Sequence, residues 1–135
     1  MSKAIVVVLI LFAVASISNC KSGPSTASME EGKKVYVNNC LGCHMEDGKG
    51  VPRMNPPLVN SAYVMGDAGN LINLVLLGSD FFGNSKRGFN NQMASFRSLS
   101  DQQIADLLTY VRNTYAATGD EIKQEQVKNA RAKLN

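Results

Sequence analysis

The rhythm of apolar and polar positions changes several times along this chain, and each change marks an element. Ala4 to Ala15 is an unbroken apolar run, followed by mostly small and polar residues as far as Ala27. Ser28 opens a helical pattern. Glu31, three residues on, completes a capping box, and Glu30 and Glu31 suit the positive end of a helix. Val35, Tyr36 and Cys40 then lie on nearby faces of a helix from about Met29 to Asn39. Gly32, four residues before Tyr36, reads either as a point of close approach for another helix or as a tolerated surface glycine. From Met45 to Leu58 the helical rhythm is broken by Gly48, Gly50, Pro52, Pro56 and Pro57. A short helix fits Ser61 to Met65. A second covers Leu71 to Leu77, closed by Gly78 and apolar enough to be buried on several sides. Ser79 to Gln92 fits a small hairpin or an irregular loop, with Asn84 to Arg87 at its tip. The clearest amphipathic helix follows. Ser100 and Gln103 form its capping box, and Ile104, Leu107, Leu108, Val111 and Tyr115 recur at intervals of three and four. Thr118-Gly119-Asp120 ends it, and a last short helix from about Glu125 to Leu134 offers Val127, Ala130 and Leu134 for packing.

The first apolar run is too short for a comfortable membrane span, which needs about 20 residues. With Lys3 before it and Ser16-Ile17-Ser18-Asn19-Cys20 after it, the run reads as an export signal. Because it ends at a cysteine, it resembles a bacterial lipoprotein signal, with Ile17 and Ser18 in lipobox positions and Asn19 bulkier than the usual residue there. The expected organisation is therefore a signal at 1–19, a flexible tether at 20–27 beginning with a lipidated Cys20, and a domain at 28–135. Such a chain is exported and held by lipid on the periplasmic or other extracytoplasmic side of a membrane.

Within the domain, the chemistry concentrates in Cys40-Leu41-Gly42-Cys43-His44. Two thiols two residues apart, followed at once by a histidine, form a covalent haem attachment site. The thiols add to the porphyrin vinyl groups and the imidazole ligates the iron. Two other readings of the pair are weaker. A structural zinc site takes four ligands, and the chain has three cysteines and one histidine, with Cys20 outside the domain. A redox dithiol would sit in a βαβ pattern, which is missing around this pair. With 135 residues the chain holds one domain, and its 14 basic and 11 acidic residues are interspersed, which argues against a nucleic-acid surface. The single histidine rules out two histidine ligands from this chain, so the second axial ligand is expected to be a methionine sulfur. Met45 adjoins His44 and cannot reach the opposite face. Met93, far along the chain and just before the amphipathic helix, is favoured, with Met54 and Met65 as fallbacks.

These motifs together resemble a class I monohaem cytochrome c over about Met29 to Tyr115. The matching stretches are Gly32-x-x-x-Tyr36, Cys40-x-x-Cys43-His44, Gly48-x-Gly50, Pro56-Pro57-Leu58, Met93-x-x-Phe96, Leu99-Ser100-Asp101 and Leu108-Thr109-Tyr110-Val111-Arg112. The resemblance implies an all-α fold wrapped around one covalent haem c, with His44 and Met93 as iron ligands. It also implies that the Gly32 helix crosses the amphipathic helix near Leu107 to Val111. The Pro56 carbonyl is expected to hold the His44 imidazole and Leu58 to pack on the haem. In the family the ligand methionine is often followed by proline; here Ala94 follows, which predicts a less stiff loop. The implied function is one-electron transfer between redox partner proteins, by a free shuttle or a subunit of a larger oxidoreductase, with no catalytic group of its own. A weak Met93 bond would instead make the chain a binder of small gases.

Overall fold

The computed structural model describes residues 23–83 and 88–134. The expected signal, Cys20 with the first part of the tether, and the loop tip at Asn84 to Arg87 lie outside the described residues. Among the described residues six α-helices follow in order: α1 (Thr26–Asn39), α2 (Leu41–His44), α3 (Ala62–Met65), α4 (Ala68–Leu77), α5 (Asp101–Tyr115) and α6 (Gln124–Lys133). A 3-10 turn, Gly78–Phe82, follows α4 directly. The described residues contain no strand, only an isolated bridge between Val51 and Asn55. The fold is all-α. None of these helices is long and apolar enough to cross a membrane.

The first helix starts earlier than its capping-box pattern suggests. Ser25, not Ser28, is the N-cap, its side chain accepting from the Ser28 backbone N–H at 3.2 Å. Ser28 is buried, and its hydroxyl donates to Asp106 Oδ1 at 2.6 Å. Thr26 and Ala27 thus belong to α1. Where a hairpin or a loop fitted Ser79 to Gln92, the described part is the 3-10 turn and irregular chain. Asp67 caps α4, accepting from the Asn70 N–H, which brings Gly69 and Asn70 inside that helix. The capping box of α5 forms as its sequence predicts, with both Ser100 and Gln103 bonds present.

The core is the crossing of α1 and α5. Tyr36, Ile104, Ala105, Leu107 and Leu108 are essentially without solvent contact there, and α4 adds Ile72 and Leu76. Gly32 sits at the crossing point. A Cβ on it would lie 2.1 Å from the Asp106 carbonyl oxygen, so this glycine marks a helix–helix contact. The last helix closes one side of the domain. Val127 is fully buried. Arg131 binds the Asp101 carboxylate and the carbonyls of Arg97 and Leu99, each at 2.8 Å.

Arg112, also buried, ties the end of α5 to the C-terminal end of α3. Its Nη1 donates to the carbonyls of Val64 and Gly66, and its Nε and Nη2 donate to the Asp120 carboxylate. Burial alone would raise the Asp120 carboxyl, but hydrogen bonds from Arg112 and Thr118 outweigh it and hold the group below the usual carboxylate range. A carboxyl depressed in the folded state stabilises the fold above its unfolded pKa of about 3.9, and that contribution is lost as pH falls through the lower folded value. Asp120→Asn is therefore expected to cost about 1 kcal/mol at pH 7, because the carboxylate is partly solvated. It should also flatten the decline in stability below about pH 4. Urea unfolding midpoints at pH 7 and pH 3 test this; a variant as acid-sensitive as the parent contradicts it.

Candidate functional site

The Cys-x-x-Cys-His stretch folds as the corner between α1 and α2. The N–H groups of Cys43 and His44 both point back to the Cys40 carbonyl, at 3.1 and 2.9 Å, so one tight turn carries all three side chains. Tyr36, one turn earlier, is buried. Its hydroxyl donates to the Met45 carbonyl at 2.6 Å and fixes where the chain leaves the corner. Chiefly through burial, that phenol is held well above its ordinary pKa and stays a neutral donor.

Beside this corner lies a cavity of about 580 Å³, within the size range of sites for small molecules and cofactors. Cys40, Cys43 and His44 border it. Pro56 and Leu58 line it from the proline-rich loop, Val64, Leu71, Leu74 and Val75 from α3 and α4, and Leu107, Leu108 and Val111 from α5. Met93 and Phe96 line it from the loop before α5, and Tyr63, Phe82 and Phe89 add aromatic surface. All six residues proposed from sequence as haem contacts therefore share one cavity.

The imidazole is held in one orientation. His44 Nδ1 lies 3.0 Å from the Pro56 carbonyl oxygen. That oxygen can only accept, so Nδ1 carries the hydrogen and Nε2 keeps its lone pair. Burial pushes the imidazole below its ordinary pKa, against the opposing pull of the Pro56 bond, so the ring is neutral at pH 7. The thiols do not suit a redox dithiol. Burial, with Cys43 adding to it, pushes the Cys40 thiol up to about 12, leaving almost no thiolate at neutral pH. Among the described residues there is no group of three or more His, Cys, Asp or Glu side chains that could hold a metal ion.

The methionines separate by position. Met45 and Met54 are 37% exposed and Met65 is 48% exposed, and none of them lines the cavity. Met93 is half-buried and does line it. Two features escape a linear reading, one polar and one aromatic. Buried Asn55 accepts from Asn91 at 3.0 Å, and the backbone N–H groups of Asn90 and Asn91 donate to the carbonyls of Arg53 and Met54. These bonds sew the proline-rich loop to the Met93 loop. Tyr63 and Phe82, which line the cavity, stack edge to face with each other and with Phe81, 5.3–5.9 Å between ring centres.

An apolar cavity with two thiols in one turn, a neutral imidazole and a thioether suits a haem attached through the thiols. A family model described as cytochrome c matches residues 29–115. The chain is 39% identical over 83 residues to the cytochrome c subunit of a quinone alcohol dehydrogenase from Gluconobacter oxydans, covering 60% of this chain and 17% of that protein. To cytochrome c-552 of Thermus thermophilus it is 32% identical over 124 residues, covering 82% of this chain and 81% of that protein. To the cytochrome c subunit of a gluconate 2-dehydrogenase from Pantoea cypripedii it is 33% identical over 92 residues, 64% of this chain and 20% of that protein. The chain thus spans about a fifth of the length of the dehydrogenase subunits it matches.

Proposed function

The chain belongs to the cytochrome c family, and from that premise we propose how its residues hold the one covalent haem c and serve electron transfer. The haem, when bound, supplies a one-electron Fe(II)/Fe(III) couple. Cys40 and Cys43 would hold it through two thioether links, and His44 Nε2 and the Met93 sulfur would ligate its iron. Pro56 fixes the rotation and tautomer of His44, as partners of a metal-bound histidine do. Leu58 and the apolar side chains of α3, α4 and α5 exclude water. A dry surround disfavours the additional positive charge of the oxidised state, and a thioether ligand favours the reduced state, so both raise the potential. No proton has to move and no substrate bond has to break.

The observation that carries this reading is the His44–Pro56 contact, within a single cavity also bordered by both thiols and Met93. The test is maturation in a host that attaches haem, followed by the mass of the denatured chain and a redox-titrated visible spectrum. The expected mass is the polypeptide plus one haem. A Cys40→Ser, Cys43→Ser double variant should return to the bare mass and lose most bound haem on denaturation. A parent chain at bare mass would overturn the proposal.

The partners are redox proteins, one donor and one acceptor. Similarity to cytochrome subunits of dehydrogenases supports a redox enzyme as one of them. Export and a lipid anchor at Cys20 would place the domain on the extracytoplasmic side of a membrane, at a raised effective concentration near a membrane-bound partner. Cys20→Ser should move the protein from the membrane to the soluble fraction on cell fractionation; unchanged membrane retention would mean that something other than this lipid holds it.

A further inference from the structure

The loop carrying Met93 lacks the proline that often follows the ligand methionine in the family, yet its backbone is gripped from another element. Gly78 and Ser79, where α4 passes into the 3-10 turn, run against it. The Ser79 N–H donates to the Met93 carbonyl at 2.9 Å, and the Met93 N–H donates to Ser79 Oγ at 2.7 Å. One residue thus satisfies both backbone groups of Met93. Gly78 makes the approach possible. Its φ is +61°, and a Cβ there would lie 2.5 Å from the carbonyl oxygens of both Met93 and Ala94. Two further bonds continue the seam, from Ser95 Oγ to the Leu76 carbonyl at 2.6 Å and from the Phe96 N–H to the Val75 carbonyl at 3.1 Å.

We propose that Ser79, admitted to contact by Gly78, is the positioning residue that keeps the Met93 sulfur on the iron. The inference rests on Met93 being the axial ligand. Both Ser79 bonds end on the backbone of Met93 itself, so the stretch of chain that carries the thioether cannot leave the cavity wall unless they break. Because Ser79 is buried, removing its hydroxyl leaves the Met93 N–H without its acceptor, a cost comparable to a lost buried hydrogen bond. The loop then opens more often. A ligand that must displace Met93 binds with an apparent affinity scaled by the open fraction, so a weaker clasp appears directly as tighter binding.

The experiment titrates the ferric holoprotein with imidazole and follows loss of the far-red sulfur-to-iron absorption. Ser79→Ala is expected to bind imidazole roughly tenfold more tightly than the parent. The comparison variant is Thr109→Val. It removes a buried hydroxyl that accepts from the Ile122 N–H at 2.9 Å, on the side of α5 that meets the C-terminal segment. It should lower the unfolding midpoint while leaving imidazole affinity within about twofold of the parent. Equal tightening in both variants would mean that affinity follows overall stability and would overturn the inference. No tightening in Ser79→Ala would overturn it too. A measurement on the parent needs no variant to fold: imidazole binding should speed hydrogen exchange at the Met93 and Ser79 amides at least tenfold, and unchanged exchange contradicts the clasp. A parent without the far-red absorption fails at the earlier step, overturning the ligand assignment and this inference with it. A parent that has the absorption while Ser79→Ala binds imidazole unchanged overturns this inference alone.

Discussion

Gly32→Ala is expected to destabilise the protein by about 3 kcal/mol, against the sign that helix propensity alone predicts. In an exposed helix interior, alanine for glycine stabilises by about 1 kcal/mol. Here the new methyl carbon would lie 2.1 Å from the Asp106 carbonyl oxygen and 2.7 Å from the Tyr110 Cβ, whereas ordinary contact begins near 3.4 Å. Both obstacles are fixed to the backbone of α5, so no rotamer change relieves them, and α1 and α5 must separate by more than an ångström. Separation also pulls on the Ser28–Asp106 bond and on the ring contacts of Tyr36 with Tyr110 and Tyr115, at 5.5 and 5.6 Å. Because Tyr36 holds the chain where it leaves the attachment corner, the effect should reach the cavity. Denaturant unfolding of the holoprotein measures the outcome. A variant as stable as the parent, or more so, would show that the two helices do not meet at this residue.

The helix crossing followed from family resemblance, since the spacing of Gly32 and Tyr36 alone fits a surface glycine as well. The capping box at Ser100 was legible because all its groups lie within one turn. Ser28 misled because Ser25 and Ser28 both have capping chemistry. What decides between them is Asp106, 78 residues away, which takes the Ser28 hydroxyl. The start of α4 was missed for a related reason: Asp67 caps it from just outside, placing Gly69 where it looks like a breaker. At the site, the pentapeptide was readable because attachment needs the thiols and imidazole within one turn. The His44–Pro56 contact followed from family resemblance rather than from periodicity. The Asn55–Asn91 and Ser79–Met93 bonds join residues 36 and 14 positions apart in irregular chain. No repeat marks such pairs, because loops that meet face to face impose no period on either partner.

Met93→Ala should remove the far-red absorption and lower the midpoint potential by on the order of 0.1–0.2 V, within the ~0.8 V span over which axial ligands set haem potentials. A thioether favours the reduced metal, and removing it leaves that state to a harder ligand or to none. The Ser79 bonds to Met93 involve only its backbone, so the truncated loop should stay seated. The sixth position would then be open, and carbon monoxide should bind the reduced variant far more readily than the parent. Met54→Ala and Met65→Ala supply the contrast, since both side chains are partly exposed and neither lines the cavity, and each should leave spectrum and potential as in the parent. If Met93→Ala behaves like them, the sulfur ligand lies elsewhere in the chain and the assignment of Met93 to the iron falls.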